Sequence, residues 1–398
     1  MTWVPSRYEG RGIHAYITFR SYVARRRRAA HDRRRRLRRP RADRSGAARG
    51  RGRLPPRERA AVSDPALLER ALFEVKRVIV GQDHMVERLL VAVLAKGHCL
   101  LEGVPGIAKT LAAETTATVV GGTFARVQFT PDLVPSDIVG TRIYRPSTES
   151  FDVELGPVMV NLLLADEINR APAKVQSALL EIMAERQVSI GGVTYEVPAP
   201  FLVLATQNPI ESEGVYHLPE AQRDRFLMKI DVGYPSESEE LAIVYRMSVD
   251  PPAPTPVLDP ERVVALQRRA EQVFVHHAVA EYAVRLVYAT RDPERYGVAE
   301  VGRLLAFGAS PRATLGLLAA GRALALLRGR DYVLPEDVRD LAHDVMAHRL
   351  VLSFDALADG VQPRQIVDRV LAAVPLPVIA PSQEAQPYDE GRRQDQVA

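Results

Sequence analysis

The chain has 398 residues, 46% of them hydrophobic, which is enough for about two or three domains; no apolar run approaches the roughly 18 residues of a membrane span. Cys99 is the only cysteine, which excludes an intramolecular disulfide framework and a cysteine-based zinc site and points to a reducing cytoplasm. The net charge of +4 is unevenly spread: residues 1–60 carry 20 arginines, no lysine and four acids, a net +16, and the remaining 33 basic and 45 acidic residues give 61–398 a net −12.

The basic N-terminus has no apolar stretch behind it and does not read as a secretory signal. Arg25–Arg28, Arg33–Arg36 and the Arg-Gly-Pro segments around them predict an Arg-rich disordered extension over 1–62. Three readings of it stay open: an arm for nucleic acid or another acidic surface, a solvated extension, or a translation start nearer Val62. From Ser63 the text becomes that of a folded domain. Ser63-Asp64-Pro65 starts a helix with Leu68, Leu72, Val75 and Ile79 at helical spacing, and Val86, Leu89, Leu90, Val93 and Leu94 mark a second.

His98–Leu101 is a short apolar strand running into a glycine loop; a helix from Lys109 and a strand at 124–129 follow. Leu162–Ala165 is another strand, then a helix with Val175, Leu179, Ile182 and Met183 on one face. Val188–Val197 alternates around Gly191-Gly192, a hairpin signal, and Phe201–Ala205 is a further buried strand. Strands alternating with helices predict a mostly parallel sheet covered on both faces, an α/β core over 63–232. A linker at 233–259, containing Asp250-Pro251-Pro252-Ala253-Pro254, leads to an all-helical domain at 260–376 and a disordered tail at 377–398.

Gly103-Val104-Pro105-Gly106-Ile107-Ala108-Lys109-Thr110 stands between a strand and a helix, where such a loop can turn backbone N–H groups onto phosphate oxygens at a positive helix end. Lys109 would reach the β- and γ-phosphates of ATP and Thr110 would ligate Mg2+. Ala108 replaces the usual glycine and is expected to be entering the helix, where alanine is tolerated. Leu162-Leu163-Leu164-Ala165-Asp166-Glu167 ends a buried strand on two carboxylates: Asp166 suits a magnesium ion, Glu167 a general base for the attacking water. Asn208, in Thr206-Gln207-Asn208-Pro209, is placed to orient that water. Arg223 and Arg225 precede Phe226, and Gly308-Ala309-Ser310-Pro311-Arg312 opens a helix with an arginine in its first turn.

These segments, with Ile168-Asn169-Arg170-Ala171-Pro172, Leu218-Pro219-Glu220-Ala221 and Asp224-Arg225-Phe226, occur in order over about 65–375 and resemble the MoxR family of AAA+ ATPases. The resemblance implies an AAA+ phosphate-loop core with a helical lid. It implies Asn208 as sensor 1, Arg225 as the finger entering a neighbouring subunit's site, and Arg312 as sensor 2. Gln82, in Val80-Gly81-Gln82, would lie near the adenine; 129–157 matches the family's helix 2 insert and 187–197 its hairpin before sensor 1. A ring, expected to be a hexamer, would use ATP hydrolysis to remodel a protein partner, one candidate being a protein with a von Willebrand factor A domain.

Two rival readings remain: a nucleic-acid-handling motor, against which the −12 of the folded body counts, and a nucleotide-gated scaffold without turnover. His276, His277, His343 and His348 lack acidic or cysteine partners at metal spacing and read as lid-helix residues, and Cys99 as a small buried one.

Overall fold

The computed structural model describes residues 63–209, 216–248 and 251–378. The Arg-rich extension and the tail beyond 378 lie outside them. Helix α1 (Asp64–Val78) has proline in its first turn, where a missing N–H costs nothing, and buries Leu68, Ala71, Val75 and Val78. After α2 (Asp83–Leu94), β1 (Cys99–Glu102) leads through the glycine loop into α3 (Lys109–Val119) and β2 (Phe124–Gln128). The insert that follows holds α4 (Pro135–Val139) and the hairpin of β3 (Gly140–Arg145) and β4 (Ser150–Leu155). Then come β5 (Leu162–Asp166), α5 (Ala173–Glu185), the hairpin of β6 (Gln187–Ile190) and β7 (Val193–Glu196), β8 (Leu202–Gln207), α6 (Glu220–Arg223) and β9 (Met228–Asp231).

The main sheet runs β2-β5-β8-β1-β9, every neighbouring pair parallel. Its three inner strands, β5, β8 and β1, open on unbroken apolar runs because both of their faces are covered. Alternate residues therefore join different cores. Leu100, Leu163, Ala165, Val203 and Ala205 pack with Leu179, Ile182 and Met183 of α5, while Cys99, Leu101, Leu162, Leu164 and Leu204 pack toward α1, α2 and α3. Register sets Gln128 beside Asp166, and Glu102 beside both Gln207 and Asp231. The polar ends of all five strands thus share the carboxyl edge of the sheet, where open α/β folds bind ligands.

The stretch read as a linker contains a helix, α7 (Glu237–Met247), begun by a capping box in which Ser236 and Glu239 bond each other's backbone N–H. None of its residues is buried, so no apolar period marks it in the sequence. The second domain comprises α8 (Pro260–Glu271), α9 (His277–Ala289), α10 (Ala299–Leu304), β10 (Leu305–Phe307), α11 (Pro311–Leu327), α12 (Pro335–Met346), β11 (Val351–Leu352), α13 (Phe354–Ala358) and α14 (Pro363–Ala373). To the helices it adds one short antiparallel pairing of β10 with β11, too brief to leave an alternating pattern.

A buried ionic cluster fastens the lid to α2. Arg88 donates to Asp344 at 2.8 Å, to Asp340 at 2.9 Å and to Glu87 at 2.6 Å, and the Arg88 and Asp344 side chains are each 1% exposed. Removing Arg88 leaves the buried Asp344 carboxylate with the His84 ring at 3.0 Å as its remaining side-chain partner among the described residues, so Arg88→Ala is expected to destabilise the fold by about 3–5 kcal/mol. The urea midpoint measures this; a midpoint equal to that of the wild type would show the cluster to be energetically idle.

Candidate active site

The glycine loop at 103–110 is shaped by close packing and by backbone angle. Gly103 has no room for a side chain, since an added Cβ would lie 2.5 Å from the Val232 carbonyl and 2.7 Å from Ile107 Cδ1. Gly106 is glycine for a different reason: its φ is +86°, and an added Cβ would meet nothing within 4 Å, so the loop is open on that side. Ala108 does not enter the helix with ordinary geometry. It sits at φ +62°, ψ 19°, in the left-handed region ahead of α3, a conformation that costs an alanine about 1–2 kcal/mol. The glycine it replaces would adopt it freely, so the substitution carries strain that the sequence did not suggest. No side chain caps α3, which leaves its first N–H groups facing the loop.

Lys109 Nζ donates to the Gly103 carbonyl at 2.6 Å, folded back across the loop it would serve. Burial lowers its pKa, against the pull of Asp166, Glu167 and Glu102. Gln82 Nε2 donates to the Gly233 carbonyl at 3.0 Å, tying the start of α2 to the chain after β9.

Asp166 and Glu167 occupy the end of β5 and the residue after it. Glu167 has φ +56°, a left-handed turn that swings the chain out of the strand and into a short 3₁₀ turn at Ile168–Arg170. That turn lets two adjacent residues, which on a continuous strand would face opposite ways, both present themselves at the sheet edge. Thr206 joins them: its hydroxyl donates to Asp166 Oδ1 at 2.6 Å and accepts from the Glu167 N–H at 2.8 Å. Asn208 follows at the end of the same strand and is 8% exposed.

Two residues that the sequence reading passed over complete the edge. Arg126 Nε and Nη2 donate to Asp166 Oδ2 at 3.0 and 2.6 Å, and Gln128 Nε2 donates to Glu167 Oε2 at 2.7 Å, an oxygen that Arg170 also reaches at 3.1 Å. Their only sequence signal was polar residues two apart at the end of a strand, which places them on one face beside the next strand.

The donors Asp166 and Thr110 suit magnesium, a hard ion that takes oxygen ligands and completes its shell with phosphate oxygens and water. Among the described residues no group of three or more His, Cys, Asp or Glu could hold a metal ion unaided. A cation, the Arg126 guanidinium, already lies against Asp166. His343 pairs with Asp368 and His348 donates to the Phe226 carbonyl, which accords with lid-packing roles; Cys99 is buried and its thiol pushed up by desolvation.

The arginines divide between two cavities. Arg223 lines one of ≈ 420 Å³ with Gly103, Val104, Pro209 and Lys229, beside the chain's own phosphate loop. Arg225 lines another of ≈ 370 Å³ with Arg312, Arg186, Lys96 and Arg349, and no phosphate-loop residue borders it. There Arg225 donates to the Leu180 carbonyl at 2.9 Å, and Arg312 approaches Asp224 at 3.5 Å.

A model of the ATPase family associated with various cellular activities (AAA) matches residues 98–228, and one of the AAA lid domain matches 299–370. The chain is 65% identical over 312 residues to "Chaperone MoxR1" of Mycobacterium tuberculosis, covering 78% of this chain and 83% of that one. It is 35% identical over 296 residues to "Protein MoxR" of Methylorubrum extorquens, covering 70% and 86%. The chain belongs to the MoxR family of AAA ATPases. A crystal structure of a candidate ATPase from Cytophaga hutchinsonii superposes on this MoxR-family chain with a TM-score of 0.75 at 44% identity, covering 79% of this chain and 96% of its own. The parallel core with its helical lid is thus the fold that the motifs implied. No helix among the described residues is long and apolar enough to cross a membrane.

Proposed function

We propose that this MoxR-family chain hydrolyses ATP to ADP and phosphate between the subunits of a ring and uses the cycle to remodel a protein partner. The observation that carries the reading is the split of the cations. Lys109 lies in the glycine loop and within the field of the Asp166 and Glu167 carboxylates, whereas Arg225 and Arg312 line together a cavity that the loop does not border. Groups on that cavity are suited to a neighbouring subunit's γ-phosphate. Among the described residues the lining is strongly basic: five cations, Lys96, Arg186, Arg225, Arg312 and Arg349, against one acid, Asp224.

In this mechanism the loop's N–H groups and Lys109 bind the β- and γ-phosphates, Gln82 borders the adenine, and Thr110 and Asp166 hold the metal. Held by Thr110 and Asp166, magnesium would supply positive charge against the negative charge that develops during phosphoryl transfer. Glu167 accepts a proton from the attacking water, Asn208 orients that water, and the neighbour's Arg225 and Arg312 stabilise the transferring phosphoryl group. Chaperone-like action on a protein partner, in a hexamer and alongside von Willebrand factor A domain proteins, is the expectation taken from the family. The −12 of residues 61–398 favours a protein partner over nucleic acid.

Lys109→Ala tests the binding step. It removes the loop's only side-chain cation and is expected to abolish binding of a fluorescent ATP analogue, and with it phosphate release. Wild-type affinity in that variant would remove the basis for the loop assignment.

A further inference from the structure

Asp166 ends a buried strand, and its carboxylate is 13% exposed. A carboxylate so withdrawn from water is costly unless it is paired. A metal that arrives with the nucleotide cannot meet that need between turnovers. The chain meets it from β2, an edge strand of the sheet, whose Arg126 is 47% exposed and reaches across to the strand end. Both of its bonds fall on one oxygen, Oδ2, since Oδ1 is taken by the Thr206 hydroxyl. The guanidinium therefore covers the oxygen left for the metal or its water.

We propose that Arg126 is the chain's own stand-in for magnesium at Asp166, a resident cation that holds the carboxylate until the metal–nucleotide complex displaces it. The inference rests on Asp166 as the metal-holding residue of the proposed function and adds a positioning residue that competes with the metal. A dication binds a carboxylate more strongly than a guanidinium does, so displacement is downhill once phosphates complete the metal's shell. Arg126 Nη2 also donates to Gln128 Oε1 at 3.2 Å, and Gln128 holds Glu167 at 2.7 Å. Departure of Arg126 thus loosens the residue that restrains the general base.

The test compares the full-length protein with Arg126→Gln in two measurements. The first is the affinity for a non-hydrolysable ATP analogue, taken once with EDTA and once with saturating Mg2+; the ratio of the two reports how strongly metal and nucleotide reinforce each other. Removing a competing unit charge within hydrogen-bond distance is expected to enlarge that ratio about tenfold. The second is the melting temperature without nucleotide or metal, expected to fall by about 2–4 °C as Asp166 loses its partner. A purely structural arginine would lower the melting temperature and leave the ratio unchanged, and that result overturns the inference. So does a smaller ratio, which would make Arg126 a support for the metal-bound carboxylate. Should the glutamine variant not fold, Arg126→Met, which retains the packing of the stem, carries the same comparison. If the wild-type ratio is itself unity, magnesium plays no part in binding, and the metal role of Asp166 falls together with the inference.

Discussion

Replacing Glu167 with glutamine is expected to preserve ATP binding and slow hydrolysis by about 10²–10⁴-fold, the range lost when a general base is removed. The substitution is nearly isosteric, and the position is held by more than its carboxylate. The backbone N–H of Glu167 is fixed to Thr206 at 2.8 Å, and the 3₁₀ turn that follows carries the chain away. Gln128 and Arg170 both donate to Oε2 and can still donate to an amide oxygen. What the variant loses is the ability to take a proton. Phosphate release gives the rate, and binding of a fluorescent ATP analogue gives the affinity. Unchanged hydrolysis would mean that another group activates the water; lost binding would mean that Glu167 supports the loop.

Arg225→Ala is expected to bind ATP normally and hydrolyse it about 10³-fold more slowly, the scale of an arginine that stabilises phosphoryl transfer from a neighbouring subunit. Among the described residues the side chain donates to the Leu180 carbonyl, so its loss disturbs little locally. Its neighbour Phe226 is fully buried and anchors the segment in the core. Arg223, two residues earlier, faces the cavity beside the chain's own loop, so Arg223→Ala is expected to act on ATP affinity more than on turnover. The two variants separate the alternatives that the sequence left side by side.

Much of this architecture is legible in the sequence. The strand–loop–helix around Lys109, the acidic end of the Leu162–Asp166 strand and the hairpin around Gly191-Gly192 each announce themselves through a pattern that only one local structure satisfies. Helix α7 did not, because it buries nothing and is held by its cap. The β10–β11 pairing did not, because three residues against two carry no period. The strain at Ala108 was hidden because its residue type suggested the opposite conformation. Arg126 and Gln128 were missed for a different reason. Their importance comes from the parallel register that sets Gln128 against Asp166, a contact between strands some 40 residues apart that no local motif encodes.

Under the proposed function, each ATP is hydrolysed by residues of two subunits. Mixing Lys109→Ala with Arg225→Ala tests it most directly, because each variant alone is expected to be inactive for a different reason. The first has lost its own site and kept its arginine; the second has lost its arginine and kept its site. In mixed rings, verified by co-purification of differently tagged subunits, an intact site can stand beside an intact arginine. Phosphate release in these rings is expected to recover well above that of either variant alone. Verified mixed rings that remain as inactive as their components would contradict it.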